Sequence, residues 1–315
     1  LLRTTSISLF FLVTLIFVSC GGSKENEKEY DTPTSGYIQI SVDETLKPMV
    51  EAVLGTFHHI YENAQIDVEF KPEADAIKDL IDRKVRIAII PRKLTNEEND
   101  LVSSAGVDAR SNITAWDAVT LITDKTNNDT LLTVDQFLSM INDIPFAPTN
   151  YFSNYSDSTI VVFNNSRSSL ISFFQLNYGI KKLTANCFQL KTTDEVVRYV
   201  NEHPNTIGVI GMSWISDSDD TTSERLLKEM KMISLAKENS SERKDYFQPY
   251  QSNVYDKSYP FIREVYIHLV EPRNGLGTGF STFMTSDKGQ RIILKSGMVP
   301  ANMPVRLVEI KKDDF

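Results

Sequence analysis

From Gly36 onward, strand-like runs alternate with helix-like ones, and this alternation constrains the fold more than any other feature of the chain. Tyr37 to Val42 reads as a strand, Leu46 to Tyr61 as a helix, Asp67 to Lys71 as a strand, Ala74 to Arg83 as a helix and Arg86 to Pro91 as a strand. That order predicts an α/β fold with a largely parallel sheet. Within the first helix, Leu46, Val50, Val53, Phe57 and Tyr61 recur at three- and four-residue steps and so share one buried face. Pro48 must lie in the first turn, because proline removes a donor deeper in a helix. Thr45 is therefore the expected N-cap, with Ser41 to Glu44 forming the loop before it. A second α/β region follows: strands Ala118 to Thr123, Thr159 to Phe163 and Thr206 to Met212, with helices Val134 to Ile141, Leu170 to Tyr178 and Asp194 to Glu202. Ser216 to Arg225 is rich in Ser, Asp and Thr and reads as an exposed loop. Glu264 to Val270 adds a strand before a glycine-rich turn and a last helix near Asp287 to Lys295.

The chain has 315 residues, 41% of them hydrophobic and 24% charged, which suits one large or two medium globular domains. A formal net charge of −9 gives no electrostatic support for nucleic-acid binding, and Lys181-Lys182 and Lys311-Lys312 read as solvated faces. At the N-terminus, Arg3 precedes an apolar run from Ile7 to Val18 and then Ser19-Cys20-Gly21-Gly22, the arrangement of a secretory signal over residues 1–19. The run is shorter than the roughly 20 residues that a spanning helix needs. Phe17-Val18-Ser19-Cys20 resembles a lipobox, which implies cleavage before Cys20 and acylation of that residue. Cys187 is then the one remaining thiol, and no intramolecular disulfide forms. The polar stretch after Cys20, through residue 35, reads as a flexible tether.

No catalytic constellation is present. Adjacent His58-His59 cannot both face one metal from a helix, and His203 and His268 have no Cys or carboxylate spacing that completes a site. Gly275-Leu276-Gly277-Thr278-Gly279 lacks the spacing of a dinucleotide fingerprint and opens no βαβ unit. What recurs is a strand that ends in a small polar loop before a helix, where free N–H groups and the helix dipole favour an anion without any cation. Three places fit: Asp43-Glu44-Thr45, Asn164 to Ser169, and Arg92 to Thr95. Each is also explicable as ordinary capping.

Two stretches carry a family resemblance. GLGTGFSTFMTSDKGQRIILKSGMVP (Gly275–Pro300) and GYIQISVDETLKPMVEAVLGTF (Gly36–Phe57) resemble the closing and opening segments of bacterial phosphate-binding proteins, the solute receptors of phosphate ABC transporters. The resemblance implies a two-lobed type II periplasmic-binding-protein fold with two crossovers, near Ala115 to Thr120 and Pro260 to Val265. Residues 36–118 and 266–315 would form lobe 1, and residues 119–265 lobe 2. VVFNNSRSSL (Val161–Leu170) aligns with the family's phosphate loop: Ser168 matches its serine, Asn164 stands at its arginine, and Ser169 and Leu170 stand at its glycine and threonine. Pro91 occupies the position of an aspartate that accepts from protonated phosphate, and Arg92 follows it. The implied contacts are Glu44, Thr45, Arg92, Asn164, Arg167, Ser168 and Ser169, with Arg92 as the principal cation and Asp43 or Glu44 as a replacement acceptor. Gln251, Ser213-Trp214 and Trp116-Asp117 are weaker candidates, the last pair bracing a hinge.

The implied function is capture of inorganic phosphate by a monomeric, lipid-anchored protein of the periplasm or cell surface, with an ABC permease as partner and no cofactor or catalysis. A receptor for another oxyanion, or a sensing or interaction lipoprotein with the same fold, are the alternatives. Cys20→Ser is expected to move the protein from the membrane fraction to the soluble fraction, as fractionation and immunoblotting would show. An unchanged membrane fraction would rule out lipid anchoring.

Overall fold

The computed structural model describes residues 30–104, 106–142, 155–156 and 159–304, so the expected signal segment, Cys20 and residues 305–315 lie outside the described residues. In chain order the strands are β1 (Gly36–Asp43), β2 (Ala64–Lys71), β3 (Ile87–Ile90), β4 (Arg110–Asp124), β5 (Leu131–Thr133), β6 (Ile160–Phe163), β7 (Cys187–Gln189), β8 (Thr206–Gly211), β9 (Met230–Met232), β10 (Ser234–Ala236), β11 (Ile262–Leu269) and β12 (Val299–Pro300). Ten of them form one mixed sheet in the order β2-β1-β3-β11-β4-β8-β6-β7, with β9 and β12 also paired to β4, while β5 and β10 form a separate pair. β1 runs parallel to β2 and β3, and β6 parallel to β7 and β8; β11 is antiparallel to β3 and β4. The uninterrupted apolar runs in β3 and β8 follow from burial on both faces.

β4 is the element that joins the sheet into one. Its first part pairs with β11 from Arg110 to Ala118, and its second part pairs with β8 from Val119 to Ile122. The two stretches expected to carry crossovers lie side by side, Ala115 opposite Val265 and Ala118 opposite Ile262.

The first helix, Lys47–Ile60, buries Met49, Val50, Val53, Leu54 and Phe57. Thr45 is not its N-cap. Asp43 instead accepts from the Thr45 N–H and caps a short 3₁₀ turn, Glu44–Leu46, that precedes the helix. Several helices escape the sequence reading, among them a short one at Gln251–Tyr255 and two longer ones. Asn96–Ser103 buries only Val102, and a reciprocal cap between Thr95 and Glu98 holds its start. Thr221–Glu229 replaces the second half of the expected Ser216 to Arg225 loop, with Asp220 as its cap.

The glycine-rich segment is also a helix, Leu276–Thr285, following Gly275. Phe280 and Phe283 pack edge-on against Phe57, at 5.2 and 5.3 Å between ring centroids, so the C-terminal segment is fastened to the first helix. Glycine is required here by close approach. A Cβ on Gly279 would lie 1.8 Å from the Pro33 carbonyl oxygen, and one on Gly275 would lie 2.4 Å from the Asp31 carboxylate. The segment that crowds them begins at Asp31, which was expected to belong to the tether. Asp31 accepts from the Leu276 N–H at 2.7 Å and pairs with Arg86 and Arg273, because a helix N-terminus attracts a carboxylate. The fully buried Glu271 carboxylate joins it, accepting from the Gly275 and Thr278 N–H groups.

Gly279→Ala should therefore lower stability by about 1–3 kcal/mol through overpacking against Pro33. Gly55→Ala, in the first helix with nothing within 4 Å of the new Cβ, should instead stabilise by up to about 1 kcal/mol. Urea unfolding of both variants tests the two signs together, and a neutral Gly279→Ala would refute the close approach.

Candidate functional site

Two of the polar strand-to-helix loops meet at one buried guanidinium. Arg263, near the start of β11, is 4% exposed. Its Nε donates to Asp117 at 2.7 Å, Nη2 donates to the Thr45 hydroxyl at 2.9 Å and lies 2.5 Å from Asp117, and Nη1 donates to the Ser169 hydroxyl at 2.8 Å. Phe261, two residues earlier, is enclosed by the rings of Phe137, Phe173 and Phe174. That cluster fixes the chain where Arg263 enters the interior. Gly211 leaves room for the arrangement, since a Cβ there would come within 3.1 Å of Arg263 Nη2 and 2.9 Å of the Thr45 carbonyl oxygen.

Around this centre the loops are cross-linked. Asp43 Oδ1 accepts from the Thr45 N–H at 2.9 Å, from the Thr45 hydroxyl and from the Ser169 hydroxyl at 3.0 Å. The Ser213 hydroxyl donates to the Thr45 carbonyl oxygen at 2.8 Å. In the second loop the Ser168 hydroxyl donates to Asn164 Oδ1 at 2.6 Å, and Asn164 Nδ2 donates to Glu44 Oε1 at 3.0 Å. Ser168 also caps the helix Ser169–Tyr178, accepting from the Leu170 N–H.

The third loop is closed by two acids, Glu98 from the helix it opens and Glu73 from the helix after β2. Arg92 donates from Nε to Glu73 at 2.8 Å and from both terminal nitrogens to Glu98, a fork-to-carboxylate arrangement. Glu98 in turn accepts from the Thr95 N–H at 2.7 Å. His268 holds the backbone there: Nε2 donates to the Arg92 carbonyl oxygen at 3.0 Å, and burial lowers its pKa to about 4, so it stays neutral.

A cavity of about 410 Å³ opens beside these groups, lined by Arg92, Arg263, Ser169, Ser172 and Glu73 among others. Of the residues expected from sequence, Arg92 and Ser169 line it. Thr45 is buried and holds Arg263 directly, whereas Asn164 and Ser168, also buried, form a separate chain of bonds that ends on Glu44. Arg167 points elsewhere, paired with Asp75 and more than half exposed. Asp117 belongs to the cluster and Trp116 to the cavity wall, whereas Gln251 bonds the Leu294 and Met298 carbonyl oxygens far along the chain. Arg263, Glu73 and Gly211 were not singled out from sequence. The signal available for Arg263 was an arginine at an inward position of a strand, in step with Phe261, Val265 and Ile267.

Burial raises the Asp43, Asp117 and Glu73 carboxyls, opposed by Arg263 for the first two and by Arg92 for the third. Burial, and then the neighbouring Asp43 charge, push Glu44 up to about 7. Among the described residues, no group of three or more His, Cys, Asp or Glu side chains is placed to hold a metal ion. The donor set of guanidinium and hydroxyls suits an oxyanion.

Comparison with known proteins agrees with this architecture. Residues 28–288 match the family described as a PBP superfamily domain. The chain is 21% identical over 310 residues to the phosphate-binding protein PstS of Borreliella burgdorferi, covering 95% of this chain and 99% of that protein. Among solved structures, a Clostridium perfringens protein assigned as a phosphate ABC transporter substrate-binding protein, with bound phosphate, superposes with a TM-score of 0.67 at 21% identity, covering 84% of this chain and all of that one. An ABC-type phosphate transport receptor from Vibrio cholerae superposes with a TM-score of 0.60 at 16% identity, with the same coverage.

Because the folded state holds the Glu44 proton more tightly than an unfolded chain titrating near 4.5, Glu44 weakens folding progressively as pH rises from that value to about 7, and not beyond. Glu44→Gln should flatten this part of the stability profile. Urea unfolding at closely spaced pH values measures it, and equal slopes in variant and wild type would reject burial of Glu44 as the cause.

Proposed function

The chain belongs to the PBP superfamily, and we propose that it is an extracytoplasmic solute-binding lipoprotein that captures phosphate or a related oxyanion and delivers it to an ABC permease. The observation that carries this reading is the convergence of the Thr45 and Ser169 hydroxyls, from two strand-to-helix loops, on the buried Arg263 guanidinium beside an open cavity. The names of the relatives point the same way, one of them solved with phosphate bound. In this reading Arg263 supplies the positive charge: it pairs with one carboxylate, Asp117, and turns its remaining donors to hydroxyls, whereas Arg92 is divided between two carboxylates, Glu73 and Glu98. Ser169 reaches the anion directly; Thr45 holds Arg263, and Asn164, Ser168 and Glu44 tie the loop after β6 to the loop after β1.

The body acts as two lobes, residues 36–118 with 266–315 and residues 119–265, joined by crossovers at the paired stretches of β4 and β11. Ligand selects the closed arrangement because donors from both lobes reach it only there. Cys20 carries the lipid that keeps the protein at the membrane. No covalent chemistry is needed for any of these steps.

Calorimetry with inorganic phosphate, on protein stripped of bound solute, tests the proposal. Arg263→Lys keeps the charge but removes the planar fork, and should weaken binding by about 1.5–3 kcal/mol, or roughly 10- to 150-fold. Unchanged affinity in Arg263→Lys would remove Arg263 from the site. No heat with phosphate or any other tetrahedral oxyanion would overturn the function itself.

A further inference from the structure

The cavity beside Arg263 is larger and chemically more varied than an inorganic anion requires. Its volume of about 410 Å³ lies in the range of about 300–1,000 Å³ typical of sites for small organic molecules. Trp116, Phe173, Leu176 and Ile262 give it apolar walls. Its charged lining has both signs, with Glu73 and Glu264 facing the same space as Arg92, Lys93 and Arg263.

Glu73 is the telling group. It is 3% exposed, and its Oε1 accepts from Arg92 Nε and from the Ser172 hydroxyl at 2.9 Å. Its Oε2 is buried with no hydrogen-bond partner. A buried carboxylate oxygen left unpaired is costly, and a bare dianion placed in the same cavity would add repulsion. A ligand that carries its own ammonium group removes both penalties.

We propose that the cavity takes a small organic zwitterion, with its oxyanion head on Ser169 and Arg263, its amino group on Glu73 Oε2, and its carbon skeleton against Trp116 and Phe173. This rests on the oxyanion reading of the Ser169–Arg263 end and adds the class of molecule that bears the anion. Ser172 has a positioning role, because its hydroxyl orients Glu73 from the helix that also presents Ser169.

The test compares three probes by calorimetry on the full chain in detergent: 2-aminoethylphosphonate, ethylphosphonate and inorganic phosphate. 2-Aminoethylphosphonate should bind at least about tenfold more tightly than ethylphosphonate, the range of one charge-assisted bond. In Glu73→Gln the ratio of the two affinities should fall to within about threefold, whatever the change in either alone, which a purely structural role for Glu73 would not produce. Equal or tighter binding of ethylphosphonate by the wild type overturns the proposal, whether or not Glu73→Gln folds. Phosphate binding without 2-aminoethylphosphonate binding overturns it and leaves the oxyanion reading standing. No heat with any of the three overturns both.

Discussion

The buried Arg263 guanidinium is the interaction on which the rest of the site depends. It touches β4 through Asp117, the turn after β1 through Thr45 and the start of the helix after β6 through Ser169. A guanidinium suits this task because its planar fork presents several donors in fixed directions, so three partners are oriented by one side chain. Desolvating it is tolerable only because Asp117 faces it directly and hydroxyls take other donors. Removing one partner of such a pair leaves a charge stranded in the interior, which explains why the surrounding residues are so constrained in size, down to the missing Cβ at Gly211.

The same network contains more acid than the guanidinium groups neutralise. Asp43, Asp117 and Glu73 are all buried, each keeps one oxygen without a partner, and Glu44 lies next to Asp43. Asp43 occupies a telling place, since its carboxylate takes the Thr45 N–H and two hydroxyls that a bound anion would otherwise attract. The first loop thus carries an anion of its own. Recognition has to be understood as exchange among partners already hydrogen-bonded to one another, rather than as the filling of a vacant set of donors.

Much of the fold was legible because the alternation of apolar runs reports burial directly: β1, β3, β8 and the helix Lys47–Ile60 lie where their periodicity puts them. The helix Leu276–Thr285 was not, because its glycines have low intrinsic helix propensity and its stability comes from Phe280 and Phe283 packing on a residue more than two hundred positions away. Asn96–Ser103 has no apolar period, yet its Thr95 and Glu98 spelled a capping box that was open to reading. At the site, strand-to-helix loops could be located from residue type, and Ser169 and Thr45 do meet. Their cation was not legible, since a lone arginine in a strand acquires its role from neighbours brought in by β4, β6 and the turn after β1. Arg92 and Arg167 look available in sequence and are engaged by Glu98, six residues on from Arg92, and by Glu73 and Asp75, which tertiary structure brings in from the helix after β2.

The clasp at Asp31 bears on mechanics. A pull transmitted along the backbone from the N-terminal side enters the body at a carboxylate held by Arg86, Arg273 and the first N–H of a helix. Those partners sit beside β3 and just beyond the end of β11, so the load is sheared across two adjacent strands and the helix Leu276–Thr285. Arg263 lies at the opposite end of β11. A load applied at Asp31 would therefore be taken up at the rim of the sheet, at the far end of β11 from the fork that orders the cavity.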